Sequence, residues 1–208
     1  FQWFLGAQCN ITYNCLDRHL SSPTKNKAAF IWLGEDGTER ILTYGRLAQL
    51  VNKFANGLRN IGIGKGDRVV IYMPLSPEGA IAMLACARIG AVHSVVYAGF
   101  SIGSLKDRIL DAQAKLLITG DVGYRRGNKV DLKGIADEAV KNLDCLEHVV
   151  TWNREKDLSK VEPDSTPNIK DLSASREIDF DELLATGDIH CPAEVMEAED
   201  PLYILYTS

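Results

Sequence analysis

The densest set of side chains fit for chemistry lies between Asp121 and Lys133. Arg125, Arg126, Lys129 and Lys133 fall there, together with Gly123 and Gly127. Guanidinium forks match phosphate oxygens bidentately, and lysines add point charges on flexible stems. Four cations on a glycine-containing loop therefore suit a phosphate-bearing ligand. A solvated charged loop fits the same residues equally well, so residue types alone leave both readings open. Other sets are weaker. Asp17 and His19 sit close in sequence, but a working acid–base pair needs spatial convergence and hydrogen-bond reach to its substrate. Gly62-Ile63-Gly64-Lys65-Gly66 is Gly-rich and basic, yet it follows a helical pattern and precedes a strand pattern. A dinucleotide fingerprint needs the reverse order, and a Walker loop needs Gly-Lys-Ser/Thr, so this segment reads as a tight helix-to-strand loop. The sequence has no H-E-x-x-H or C-x-x-C motif, and His19, His93, His148 and His190 show no ligand spacing. No catalytic machinery is visible.

The elements that must position the basic loop run from Asp67 to Gly120. Arg68 to Met73 is a short β-branched run, which is how a strand buried on both faces reads. Ser76 caps a helix over Glu78 to Ile89, too short for a membrane span and closed by Gly90. Val92 to Tyr97 is a second strand, Gly99-Phe100-Ser101 the turn out of it, and Ser101 or Ser104 the cap of a helix carrying Leu105, Ile109 and Ala112. Leu116 to Thr119 is a third strand. Alternation at this spacing predicts α/β architecture, a parallel-rich sheet with helices on both faces. Ligands gather at the carboxyl ends of such strands, where the basic loop begins.

Around this unit, residues 1–27 form an N-terminal segment expected to pack through its aromatics. Ala28 to Leu33 and Arg40 to Leu42 predict a hairpin around Glu35-Asp36-Gly37. Thr43 caps a helix with Leu47, Leu50, Val51, Phe54, Leu58 and Ile61 on one stripe, stopped at Gly62. Asp131 to Leu143 reads as an amphipathic helix, His148 to Trp152 as a strand with His148 at its edge, and 153–179 as a polar surface excursion. Phe180 to Ala185 reads as a short helix and Tyr203 to Tyr206 as a strand.

The bulk numbers bound the partners. A net charge of −5 gives no push toward nucleic acid. No apolar run of about 18 residues predicts a membrane span. Five cysteines form an odd set without paired spacing, which favours free thiols in a reducing, cytoplasmic compartment. The sequence opens on Phe1 and stops at Ser208 directly after an apolar run, so both ends read as cut from something longer.

Several stretches together carry a resemblance. Asn14-Cys15-Leu16-Asp17-Arg18-His19, Gly66-Asp67-Arg68-Val69, Tyr72-Met73-Pro74, Ala91-Val92-His93-Ser94-Val95-Val96 and Gly99-Phe100-Ser101 resemble the N-terminal part of the acetyl-coenzyme A synthetase family of adenylate-forming ligases. So do Asp107-Arg108-Ile109, Ile118-Thr119 and Asp131-Leu132-Lys133, and the likeness runs through the whole chain in order. The resemblance implies a two-step reaction. A carboxylate attacks the α-phosphate of ATP to give an acyl-adenylate and diphosphate, and coenzyme A then displaces AMP. It implies ATP, coenzyme A and Mg²⁺ as cofactors of the complete enzyme, and a short acid such as acetate as the other small-molecule partner.

The family's phosphate loop begins Tyr-Thr-Ser-Gly. Tyr206-Thr207-Ser208 matches its first three residues, so the resemblance places 1–208 as the N-terminal portion of one AMP-binding domain. The acyl pocket and catalytic lysine are then expected beyond Ser208, no catalytic residue within the chain, and no activity from these residues alone. Thr207 and Ser208 are implied to start the ATP phosphate loop. Arg125, Arg126, Gly127 and Asn128, with Gly99 nearby, are implied to contact the nucleotide end of coenzyme A. Family members often carry a basic residue where Asn128 stands and a small one where Arg126 stands. The start of the Ser101 helix would add partial positive charge. The alternatives are another short acid, such as propionate or acetoacetate, or a non-catalytic nucleotide-binding module.

Overall fold

The computed structural model describes residues 3–154 and 170–207. In chain order, a two-residue strand β1 (Gln8–Cys9) is followed by a π-helical turn and a short helix α1 (Arg18–Leu20). A hairpin comes next, β2 (Ala28–Leu33) and β3 (Glu39–Thr43), then α2 (Tyr44–Asn60), β4 (Arg68–Tyr72), α3 (Pro77–Arg88), β5 (Val92–Val95), α4 (Ile102–Ala112) and β6 (Leu116–Gly120). A second hairpin, β7 (Val122–Arg125) and β8 (Asn128–Asp131), leads into α5 (Leu132–Ala139). The remaining elements are β9 (His148–Trp152), β10 (Glu177–Asp179), α6 (Phe180–Thr186) and β11 (Met196–Glu197), which pairs antiparallel with β1.

The central sheet has five strands in the order β10-β9-β6-β4-β5, all neighbours parallel. Alternate residues of β4 feed two separate cores. Val69 and Ile71 join α2, α3 and α6 on one face, whereas Val70 and Tyr72 join α4 and α5 on the other. The helix stripes read from the sequence are buried as expected: Leu50, Val51, Phe54 and Leu58 are fully covered. Each such side chain stabilises by roughly 1.5–3 kcal/mol. Phe54 stacks on Phe180 with centroids 4.2 Å apart, and Gly57 lets α2 approach α6, since a Cβ there would meet Leu183 O at 2.6 Å. The caps are also as read. Thr43, Ser76 and Ser101 each accept a backbone N–H in the first turn of α2, α3 and α4, each contributing about 1 kcal/mol.

Connections determine where a ligand fits. The loop after β4 leads to α3 on one face, whereas the chain after β5 and after β6 leads to α4 and α5 on the other. Neighbouring strands whose connections diverge leave a crevice at their carboxyl ends, which is where open α/β sheets bind ligands.

Several sequence expectations are corrected. The Asp121 to Lys133 segment is not a loop but the β7–β8 hairpin. Helix α5 stops at Ala139, and Val140 and Leu143 stay buried without extending it. His148 is not at an edge: β9 lies inside the sheet, and the ring nitrogens sit 2.8 Å from Ser175 O and 3.1 Å from Ile61 O. The described aromatics of the N-terminal segment do not pack it, as Trp3, Phe4 and Tyr13 are exposed. Polar rivets do. Asn10 donates to Ala87 O, Arg88 O and Glu194 O, while Arg88 grips Asp17 at 3.0 and 3.1 Å. Asp17 is thus a structural partner, and His19 packs on Tyr44. Within 153–179, Glu177–Asp179 is the fifth strand of the sheet and Leu172 is buried, while 155–169 lies outside the described residues. Tyr203 to Tyr206 forms no strand, only a single parallel bridge from Tyr203 to His93.

Candidate functional site

The β7–β8 hairpin turns on Arg126 at φ 52° and Gly127 at φ 76°. Positive φ at both central residues is the geometry of a two-residue turn whose twist matches its strands. Glycine adopts it freely, whereas Arg126 holds it against a cost of about 1–2 kcal/mol. The register sets Arg125 opposite Asn128 and Tyr124 opposite Lys129. Gly123 lies against Leu132, so the hairpin folds down onto α5. Asp121 fastens its base. Its Oδ1 accepts from Val122 N at 2.6 Å and Arg154 N at 3.1 Å, and its backbone O accepts from Lys133 N.

The four cations separate once placed. Lys133 is held in ion pairs with Asp137 and Glu177. Arg125, Arg126 and Lys129 are exposed and make no ion pair among the described residues. Of the sequence candidates, Arg125 lines a cavity of about 330 Å³. Arg126, Gly127 and Asn128 form the hairpin tip, where the Asn128 side chain donates back to Arg126 O at 3.5 Å. Gly99 lies beside Tyr97, and a Cβ there would run into that ring.

The cavity opens at the crevice the topology predicts. Pro74 after β4, Ala98 after β5 and Gly123 after β6 all line it. Its walls carry three aromatic rings, Trp32, Tyr97 and Tyr124. The Arg125 guanidinium lies 5.8 Å from the Tyr97 centroid, and the Arg154 guanidinium 4.7 Å from Tyr124 and 5.6 Å from Trp32. Trp32 Nε1 donates to Leu75 O at 2.8 Å, which fixes the indole. Glu35 is the carboxylate on the lining. Rings for stacking beside guanidinium groups for anions make a surface able to hold an aromatic, phosphate-bearing molecule. Trp32 and Arg154 are not among the sequence candidates. Trp32 alternates along a hairpin strand like any packing residue, and Arg154 follows a strand end into a polar stretch, so neither carries a local motif.

The second candidate region is the end of the chain. Ile204 N donates to His93 O at 2.9 Å, and the parallel bridge from Tyr203 to His93 carries the chain alongside β5 toward the carboxyl end of the sheet. Tyr206 donates to Asp111 Oδ2 at 2.5 Å, and Arg108 lies 5.0 Å from its ring centroid. Burial and the Asp111 hydrogen bond push the Tyr206 phenol up to about 12. Thr207 follows and is exposed, while Ser208 lies outside the described residues. His93 beneath is buried, which pushes its imidazole down to about 4, and its Nδ1 has no hydrogen-bond partner among the described residues. No group of three or more His, Cys, Asp or Glu side chains among the described residues is placed to hold a metal. No helix of the described residues is long and apolar enough to cross a membrane.

Comparison with known proteins fits this geometry. The model of the family described as AMP-binding enzyme matches residues 16–208. An acetyl-coenzyme A synthetase of Deinococcus radiodurans is 49% identical over all of this chain and 30% of its own length. A 3-hydroxypropionyl-coenzyme A synthetase of Metallosphaera sedula is 46% identical over all of this chain, again 30% of its own length. Among solved structures, the acetoacetyl-CoA synthetase from Streptomyces lividans superposes with a TM-score of 0.82 at 26% identity, covering 99% of this chain and 29% of that one. The chain thus spans about 30% of the length of the curated relatives it matches. With the family model matched from Leu16 onward, the chain belongs to the AMP-binding enzyme family.

Proposed function

We propose that this chain is the N-terminal portion of an AMP-forming acyl-coenzyme A synthetase acting on acetate or a similarly short acid. The observation that carries this reading is identity of 49% across the whole chain with an acetyl-coenzyme A synthetase. In the proposed reaction a carboxylate oxygen attacks the α-phosphate of ATP and diphosphate leaves. The sulfur of coenzyme A then attacks the acyl carbon and AMP leaves. The residues of this chain bind rather than react. Arg125, at the cavity wall, takes a phosphate of the nucleotide end of coenzyme A. Arg126, Gly127 and Asn128 shape the hairpin tip beside it, and Gly99 lets Tyr97 lie against the backbone. Thr207 and Ser208 begin the loop that receives the ATP phosphates. Mg²⁺ is proposed to arrive with ATP, and no step in this portion runs through it. The five free cysteines suit a reducing compartment such as the cytoplasm.

The relative from Metallosphaera sedula, named for 3-hydroxypropionate, keeps other short acids in play. The experiment is acid-dependent exchange of labelled diphosphate into ATP by the complete gene product, run with acetate, propionate, 3-hydroxypropionate, butyrate and acetoacetate. Exchange with one of these acids, and none from the 208 residues alone, is expected. Absence of exchange with every acid would count against the ligase reading and favour a nucleotide-binding module.

A further inference from the structure

Arg154 enters the cavity from a different element than the basic hairpin. It follows β9, whereas Arg125 ends β7, yet both line the same cavity of about 330 Å³. One carboxylate coordinates the two. Asp121 Oδ1 accepts from Val122 N at the base of the hairpin and from Arg154 N, so the backbone segments bearing both arginines are tied to a single point. The Arg154 guanidinium lies near two rings, Tyr124 at 4.7 Å and Trp32 at 5.6 Å. Stacking engages the faces of a guanidinium and leaves its in-plane N–H donors for an anion. Two further features keep this group from being merely structural. Trp32 already has Arg40 over it at 4.7 Å, and that arginine is committed to Glu78. Arg154 makes no ion pair among the described residues; the acids near it are Glu35 on the lining, Asp121, which accepts from its backbone N–H, and Asp36, whose carboxyl is held low chiefly by Thr38 and in smaller part by Arg154. A guanidinium oriented by two rings at a cavity wall, with no ion pair among the described residues, has in-plane donors suited to a phosphate.

We propose that Arg154 is the second phosphate-binding residue of this cavity, acting with Arg125 to hold the nucleotide end of coenzyme A between the Tyr97 and Tyr124 walls. The inference rests on the ligase reading above, and adds to it a residue outside the basic hairpin. The class of ligand is a nucleotide with two separate phosphate centres, one for each guanidinium. Coenzyme A has them, as a 3′-phosphate and a diphosphate.

The test is calorimetric titration of the complete gene product with coenzyme A and with dephospho-coenzyme A, for wild type, Arg125→Gln, Arg154→Gln and Arg154→Lys. Arg154→Gln is expected to weaken coenzyme A about tenfold or more, as loss of a hydrogen-bonded charge does. Arg154→Lys keeps the charge without the planar fork and is expected to recover part of that loss. A loss confined to coenzyme A assigns Arg154 to the 3′-phosphate, and an equal loss with both ligands assigns it to the diphosphate. Affinities unchanged in both Arg154 variants, with Arg125→Gln still weakened, would overturn the role of Arg154 while leaving the coenzyme site intact. No coenzyme A binding by the wild type would overturn both.

Discussion

Two hairpins flank the cavity, and each sets an arginine on an aromatic ring. On β3, Arg40 lies 4.7 Å from the Trp32 centroid, and on β7, Arg125 lies 5.8 Å from Tyr97. The resemblance ends at the counter-charge. Arg40 forks onto Glu78 at 2.7 and 2.9 Å, and the Glu78 side chain is wholly buried at the start of α3. Arg125 has no carboxylate partner among the described residues and stands in solvent. The first arginine locks its hairpin to the core, whereas the second lines a cavity and pairs with no carboxylate among the described residues. Composition alone does not separate them; the fate of the charge does.

The sharpest way to break this contrast is to remove the lock. Glu78→Ala leaves Arg40 beside the core without its partner, and loss of one member of a buried pair costs about 3–5 kcal/mol. Chemical denaturation of the complete gene product reads this directly. Arg125→Ala, by the same measurement, should fall within about 0.5 kcal/mol of wild type, as exposed surface changes do. Comparable losses for the two variants would erase the distinction.

A buried base, His93, whose Nδ1 has no hydrogen-bond partner among the described residues, gives an intermediate case. Its imidazole is pushed from an ordinary 6.5 down to about 4 by burial. Between those values the unfolded chain takes up a proton that the folded chain refuses, so stability falls as pH drops through this window. The change from pH 7 to pH 5 should be about 2 kcal/mol from this group. His93→Asn should flatten that part of the pH profile, and an unchanged slope would show that the acid sensitivity arises elsewhere.

The smallest effect belongs to the turn itself. Arg126 occupies a left-handed conformation, so Arg126→Gly should relieve strain and stabilise by up to about 1 kcal/mol despite losing a charge. Destabilisation would mean that the Arg126 side chain has a structural contact beyond the hairpin tip.

Much of the scaffold is legible in the sequence because its signals are local. Strand runs such as Arg68–Tyr72, the stripe of α2 and the caps at Thr43, Ser76 and Ser101 each depend on neighbours a few residues apart. The site is only half legible. Arg125 stands out in a basic, glycine-containing stretch, but the hairpin is hidden because its turn is Arg126-Gly127 rather than Asn-Gly or Asp-Gly. Trp32 and Arg154 meet it only through the packing of three separate elements, a relation no spacing encodes. The N-terminal segment misleads for the opposite reason. Its aromatics look like anchors, whereas Asn10 and Asp17 supply the long-range hydrogen bonds that hold it. Tyr203 to Tyr206 has the composition of a strand, and makes one bridge to the sheet edge.

The most direct test of the central claim is titration of the complete gene product with coenzyme A, comparing wild type with Arg125→Ala. The account predicts an affinity lower by about tenfold or more in the variant, with its unfolding transition unmoved. Equal affinity in the two proteins would contradict it, and would make the open arginine of β7 a solvated charge after all.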